Sequence, residues 1–122
     1  MGSAKSLVIF ALFISTFAAA AFGATPEGWW PIKNLNDPEV VGIAKFAVAE
    51  YNRTSNKALV LVSVVKGEAK QAFDPSETIY HLDIYAKDAA ASTKPAGKYV
   101  TFVGDIPSKK FRGLISFYQI SN

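Results

Sequence analysis

Val41-Gly-Ile-Ala-Lys-Phe-Ala-Val-Ala-Glu-Tyr-Asn52 is the stretch on which the fold turns. Just before it, Asp37-Pro38-Glu39 carries a helix-start signal. Asp37 can accept from unpaired backbone N–H groups, Pro38 suits the first helical position, and Glu39 meets the positive end of the helix dipole. Val40, Ala44, Ala47, Val48 and Tyr51 recur at helical spacing and make one apolar stripe, which Ile43 and Phe46 widen. A cluster of Asn, Ser and Thr between Asn52 and Asn56 ends the pattern. The reading is an amphipathic helix with one face heavily buried.

Everything after the helix reads as strands. Leu59–Val65 is almost wholly apolar and β-branched, as in a central strand. Lys66-Gly67 interrupts it in the manner of a bulge, and residues 68–73 continue to a turn at Asp74-Pro75-Ser76. Thr78–Ala86 alternates Ile79, His81 and Asp83 against Tyr80, Leu82 and Ile84. Residues 87–98 read as a loop, Tyr99–Val103 as a strand, Gly104–Gly113 as a polar turn region around Pro107, and Leu114–Ile120 as the last strand. One helix and then only strands predicts an α+β fold, the helix packed across a curved antiparallel sheet of four to five strands.

Before the helix, residues 24–36 are polar, carry Pro26, Gly28 and Pro31, and read as an extended arm. Further upstream, Lys5 precedes the apolar run Leu7–Phe17, and small residues follow. That layout predicts a secretory signal peptide over 1–23, leaving one domain over 24–122. A membrane anchor is the competing reading, but the apolar run is shorter than the ~20 residues a span needs. The expected destination is the cell exterior, with onward sorting to a vacuole as the alternative. No membrane association is expected once the signal is removed.

The chain has no Cys, so the domain must hold together by packing, and thiol nucleophiles and cysteine metal sites are excluded. The net charge of +3 is modest and its lysines are scattered. A nucleic-acid partner needs a broader basic face with aromatics set in it. The one His, His81, stands in an alternating strand without a nucleophile and reads as structural. With Asp83 and Asp88 it makes no metal site, and no cofactor is expected. Nothing in the motifs points to an enzyme. Asn52-Arg53-Thr54 is an N-glycosylation sequon, although Asn52 also closes the helix pattern, where capping or packing would need it.

The helix wording resembles the plant cystatins, inhibitors of papain-like cysteine proteases, whose helix reads Leu-Ala-Arg-Phe-Ala-Val followed by an acidic residue, an aromatic or His, and Asn. The matching residues are Ile43, Ala44, Lys45, Phe46, Ala47, Val48, Glu50, Tyr51 and Asn52. Gly28-Trp29-x-Pro31-Ile32, Val64-Val65-x-Gly67-Glu68 and Phe111-x-x-Leu114-x-Ser116-Phe117 extend the resemblance over nearly the whole domain. It implies a cystatin-like fold, and a reversible inhibitor that wedges an N-terminal Gly, a first hairpin loop (Gln-x-Val-x-Gly) and a second hairpin loop (Pro-Trp) into a protease cleft.

Carried onto this chain, the resemblance implies a protease-binding set of Gly28; Gln71, Ala72, Phe73, Asp74 and Pro75; and Ile106, Pro107 and Ser108. Two segments depart from the family pattern. Phe73 and Pro75 replace the Val and Gly of the first loop, which is also about two residues longer, and Ser108 replaces the Trp of the second. Pro fixes φ, so the first loop must take another shape. Losing a buried aromatic anchor commonly costs ~2 kcal/mol, roughly 30-fold in affinity. Each altered loop equally fits a plain solvent turn. The alternative to an inhibitor is therefore a non-inhibitory binding or signalling module on the same scaffold. Trp29 is expected to pack on the domain and Trp30 to face outward. A monomer is expected, with hairpin exchange between two copies as the alternative.

Overall fold

Asp37 caps the helix as its chemistry requires. The computed structural model describes residues 28–91 and 93–121; the expected signal peptide lies outside them. In it the Asp37 carboxylate accepts from Glu39 N–H at 2.8 Å, and Val41 N–H donates to Asp37 O at 2.9 Å. The helix, α1, spans Pro38–Ser55 and ends on Asn56 in the left-handed conformation (φ 57°), whose N–H donates to Asn52 O. The expected stripe is the buried one. Val40, Ile43, Ala44, Ala47 and Val48 are buried, with Phe46 and Tyr51 packed at its margins.

Among the described residues, five strands form one antiparallel sheet in chain order: β1 (Trp30–Pro31), β2 (Leu59–Gln71), β3 (Thr78–Asp88), β4 (Gly97–Ile106) and β5 (Phe111–Ser121). The expected arm thus contributes a two-residue strand, and the sheet has the fifth member. Leu59, Leu82, Ile84, Ala86, Tyr99 and Val103 meet the helix stripe to make the core. Tyr51 stacks on Phe117 with ring centres 4.3 Å apart, and Tyr99 tilts against the same ring at 5.3 Å. At ~1.5–3 kcal/mol for each large apolar side chain fully buried, this interface is the main source of stability in a chain with no disulfide.

Three expectations are corrected. The interruption expected at Lys66-Gly67 is two bulges placed slightly earlier. Val62 and Val65 are the extra residues in β2, while Lys66 and Gly67 pair regularly with Asp83 and Leu82. The glycine serves close approach instead: a β-carbon on Gly67 would come within 2.9 Å of Leu82 and 3.1 Å of Ile32. The expected turn over Gly104–Gly113 is mostly strand. Gly104 pairs with Gly113, Asp105 with Arg112 and Ile106 with Phe111, so the turn shrinks to Pro107–Lys110. The polar residues that suggested a loop are satisfied across the ladder, where Arg112 Nε donates to Asp105 Oδ1 at 2.9 Å. The loop expected over 87–98 shortens in the same way, with β3 reaching Asp88 and β4 starting at Gly97.

Asn52 ties the end of the helix to the start of the sheet. Its Nδ2 donates to Leu59 O and its Oδ1 accepts from Leu59 N–H, both at 2.9 Å. Both amide functions are therefore committed to the fold at the sequon residue. Asn52→Ala removes two partly buried hydrogen bonds and strands one backbone donor and one acceptor. It is expected to cost about 1–3 kcal/mol, read as a lower denaturation midpoint at unchanged m-value, with Asn52→Asp, which keeps the acceptor, falling between.

Candidate functional site

The ladder places the expected site residues at one end of the sheet. Gln71 pairs with Thr78, Thr78 with Asp105, and Asp105 with Arg112, so one row crosses four strands just below two turns. The β2–β3 turn holds Ala72, Phe73, Asp74 and Pro75. The β4–β5 turn, opened by Ile106, holds Pro107 and Ser108. On the opposite flank, Trp30 pairs with Ala69 and Pro31 with Glu68, so the arm runs antiparallel to β2 and Gly28, two residues before Trp30, lies toward the Gln71 end. Arm and turns share one end because the topology is a simple meander.

Gly28 has φ 81°, a backbone conformation that favours glycine. Beyond it the arm straddles the edge of the sheet, as the alternation of an extended segment requires. Trp29 is half-buried on the face away from the helix. There it meets His81 edge-on at 5.8 Å and Phe102 at 6.2 Å, and the Lys70 ammonium lies 5.1 Å from its ring centre. His81 stacks on Phe102 at 4.3 Å, and its Nδ1 is 2.8 Å from Glu68 Oε2. His81 is thus part of the arm's seat. Trp30 is exposed, on a groove with Ile32, Val40, Ala69 and Tyr80 toward the helix side.

The β2–β3 turn closes on its own bonds. Ala72 N–H donates to Glu77 O at 2.9 Å, and Glu77 N–H to Asp74 O at 3.0 Å. Asp74 Oδ1 accepts from the N–H and the hydroxyl of Ser76, at 3.0 and 2.8 Å, and Gln71 Nε2 donates to Pro75 O. Those bonds from Ser76 hold the Asp74 carboxyl below the usual range, and Lys109 of the neighbouring turn adds to the effect. The two turns are therefore close enough to interact. Pro75 sits in a longer turn that does not ask it for a positive φ, and Phe73 is carried at the tip with 45% exposure.

The β4–β5 turn is a short 3-10 segment, Pro107–Lys109, followed by Lys110 at φ 50° with its N–H donating to Pro107 O at 3.0 Å. Pro107 and Ser108 are exposed and Ile106 half-buried. Phe111, used in the sequence only as a family marker, emerges beside this turn with 56% exposure. The relation of Lys109 to Asp74 had no sequence signal, because it depends on strand register. Below the turn, Arg112 bridges the buried Asp105 and the first-turn Glu39, donating to the latter at 3.0 Å.

A curved sheet on one helix, with an arm and two turns gathered at one end, defines a cystatin-like α+β protein. A family model described as "Aspartic acid proteinase inhibitor" matches residues 32–120. "Cysteine proteinase inhibitor 5" of Arabidopsis thaliana is 41% identical over 117 residues, covering 96% of this chain and 88% of that protein. "Cysteine proteinase inhibitor 1" of Actinidia chinensis var. chinensis is 42% identical over 93 residues, 76% and 74% of the two chains. "Cysteine proteinase inhibitor 6" of Oryza sativa subsp. japonica is 34% identical over 105 residues, 86% and 89%. The chain belongs to this cystatin-like family of proteinase inhibitors.

The Arg112 bridge sets the base of the second turn. Arg112→Met leaves the Asp105 carboxylate buried without its cation and is expected to cost about 2–4 kcal/mol. The double variant Asp105→Leu/Arg112→Met, which removes both charges, should regain part of that loss. Urea denaturation of the two proteins side by side measures the difference.

Proposed function

We propose that the chain is a secreted, reversible inhibitor of papain-like cysteine proteases that fills the active-site cleft with its arm and two turns. The single observation that supports this most is the gathering of Gly28, the Phe73 turn and the Pro107 turn at one end of the sheet. Relatives that align over most of this chain bear the name of cysteine proteinase inhibitors. In this reading the protein is not an enzyme. It needs no cofactor, because occupying a cleft requires only complementary shape and the exclusion of water.

Binding energy in such an edge comes from a few large apolar anchors. With Ser108 in place of an aromatic residue, Phe73 is the tip's main candidate, and Phe111 adds apolar area beside Pro107. Gly28 lets the arm's backbone turn without a side chain between it and the cleft wall. The closed hydrogen bonding of the β2–β3 turn favours binding as well, since a turn fixed beforehand loses less entropy on docking. Asp74 and Pro75 then act through the turn's shape, and Gln71 through its bond to Pro75 O.

A second target class has its own support. The matching family model is described by aspartic proteinases, and it begins at residue 32, so the match does not depend on the Gly28 arm. The edge would then present Phe73 and the Lys109–Lys110 pair to a cleft whose catalytic groups are acidic.

Titration of the mature chain from Ala24 against papain and pepsin, each with a fluorogenic substrate, separates the readings. Inhibition of papain at or below about 1 μM supports the proposal. Phe73→Ala is expected to weaken it by about tenfold or more, with the circular dichroism spectrum unchanged. Inhibition of pepsin alone moves the assignment to aspartic proteinases. Failure against both at about 100 μM by a folded chain rejects inhibition of these enzymes in favour of a scaffold with another binding role.

A further inference from the structure

We propose that Glu77 is a proton-dependent positioning residue for the β2–β3 turn: protonated, its carboxyl seats on Gly104 and holds the turn against β4; ionised, it loosens that seat. The role of the turn in inhibition rests on the reading above, but the behaviour of the turn itself does not.

Glu77 closes the turn twice through its backbone, accepting from Ala72 N–H and donating to Asp74 O. Its side chain crosses to the neighbouring hairpin, where Oε2 occupies the space that a β-carbon on Gly104 would take; Ile115 borders the same spot at 3.8 Å. The seat exists only because residue 104 has no side chain. The half-buried carboxyl there meets the Gly104 backbone and lies beside an Ile methyl, and among the described residues no hydrogen-bond donor reaches it. Such a place suits a neutral carboxyl better than a carboxylate.

The charges around Glu77 come from every packed element. Asp74 shares the turn and is held ionised by Ser76. Lys109, on the β4–β5 turn, faces Asp74. Lys70 of β2 lies on the same face of the sheet but directs its ammonium over Trp29. Asp105 and Arg112 pair with each other below the second turn. Glu77 is thus left beside a like charge, and the Lys109 ammonium of the opposing turn acts on that same charge. Burial, and next the Asp74 carboxylate, push its carboxyl above the usual glutamate range.

The sign follows from linkage. A carboxyl whose proton is held more tightly in the seated turn than in a released one favours seating fully below the ordinary glutamate value. That preference is lost as pH rises through the raised value. Acidification therefore tightens the turn. An inhibitory tip built this way holds its protease better under acidic than under neutral conditions.

Wild type and Glu77→Gln, which mimics the neutral carboxyl, are compared between about pH 4 and pH 7. The first readout needs no protease: amide exchange at Ala72 and Glu77, corrected for intrinsic rates. Wild-type protection is expected to fall about threefold or more across the range, while Glu77→Gln stays level. The second is the ratio of the two inhibition constants against papain, in which the enzyme's own titrations cancel; it should shift by a similar factor, favouring the variant at neutral pH. Wild-type protection that runs parallel to the variant's at every pH overturns the proposal. A constant ratio between two inhibiting proteins overturns the link from seat to affinity. Divergent protection without inhibition by either protein upholds the positioning role and rejects the inhibitor reading instead.

Discussion

The structure depends on bending one sheet around one helix. A flat sheet could touch α1 along a line; to bury the stripe from Val40 to Tyr51, the outer strands must curl toward it. Four bulges supply that curl. Val62 and Val65 are the extra residues in β2, and Ile115 and Ile120 are the extra residues in β5. All four are β-branched, and all four are exposed, at 38–57%. An extra residue bends its strand and increases the local twist. Placed symmetrically on the flanking long strands, the pairs let both sides of the sheet close on the helix, while the regular β3–β4 ladder forms the floor. The exposed valines and isoleucines are thus a consequence of curvature. The bulges also break the register of both long edges, which discourages edge-to-edge pairing in strands that carry few charges there.

Curvature alone would leave the helix free to slide. Polar contacts pin both of its ends. At the start, Glu39 reaches Arg112, which also holds the buried Asp105 at the base of the β4–β5 turn. At the end, Asn52 takes both backbone groups of Leu59, the first residue of β2. Each contact joins elements that the apolar core already brings together, and each adds direction to an interface that hydrophobic burial leaves non-directional. The Glu39–Arg112–Asp105 bridge also couples the helix to the end of the sheet that carries the two turns, because Arg112 lies in the row directly beneath them.

Much of the architecture was legible in the sequence because the helix announces itself three ways: an Asp-Pro-Glu start, a continuous apolar stripe and an Asn-rich stop. The extent of the last hairpin was not. Gly104, Asp105, Arg112 and Gly113 look like turn residues in one dimension, yet the glycines oppose each other across the ladder and the charged pair forms a bridge. Residue type signals what a side chain needs, and here a cross-strand partner met the need that a loop and solvent would otherwise meet. Bulge positions were hidden for a related reason: within Leu59–Val65 every residue but Ser63 is apolar, so nothing marks the two that lose their partners. The family pattern pointed to residues in both turns, whereas the bonds that shape those turns could not be read from it. The relations of Asp74 to Lys109 and of Glu77 to Gly104 exist only once the register of four strands is fixed.

This division bears on how a tip can change while its scaffold does not. The residues that bend and pin the sheet lie in or below the row from Gln71 to Arg112. Above it, the β2–β3 turn is held by Asp74, Ser76, Glu77 and Gln71 through bonds internal to the turn. The β4–β5 turn is held by its own Pro107–Lys110 bond. Substituting Pro for Gly or Ser for Trp in these turns therefore makes no demand on the core. The altered residues alter what the edge can bind without altering whether the protein folds. What the edge does then rests on the shape and charge of these few residues: an apolar tip at Phe73, a second apolar contact at Phe111, and between the turns a carboxylate and an ammonium close enough to sense each other.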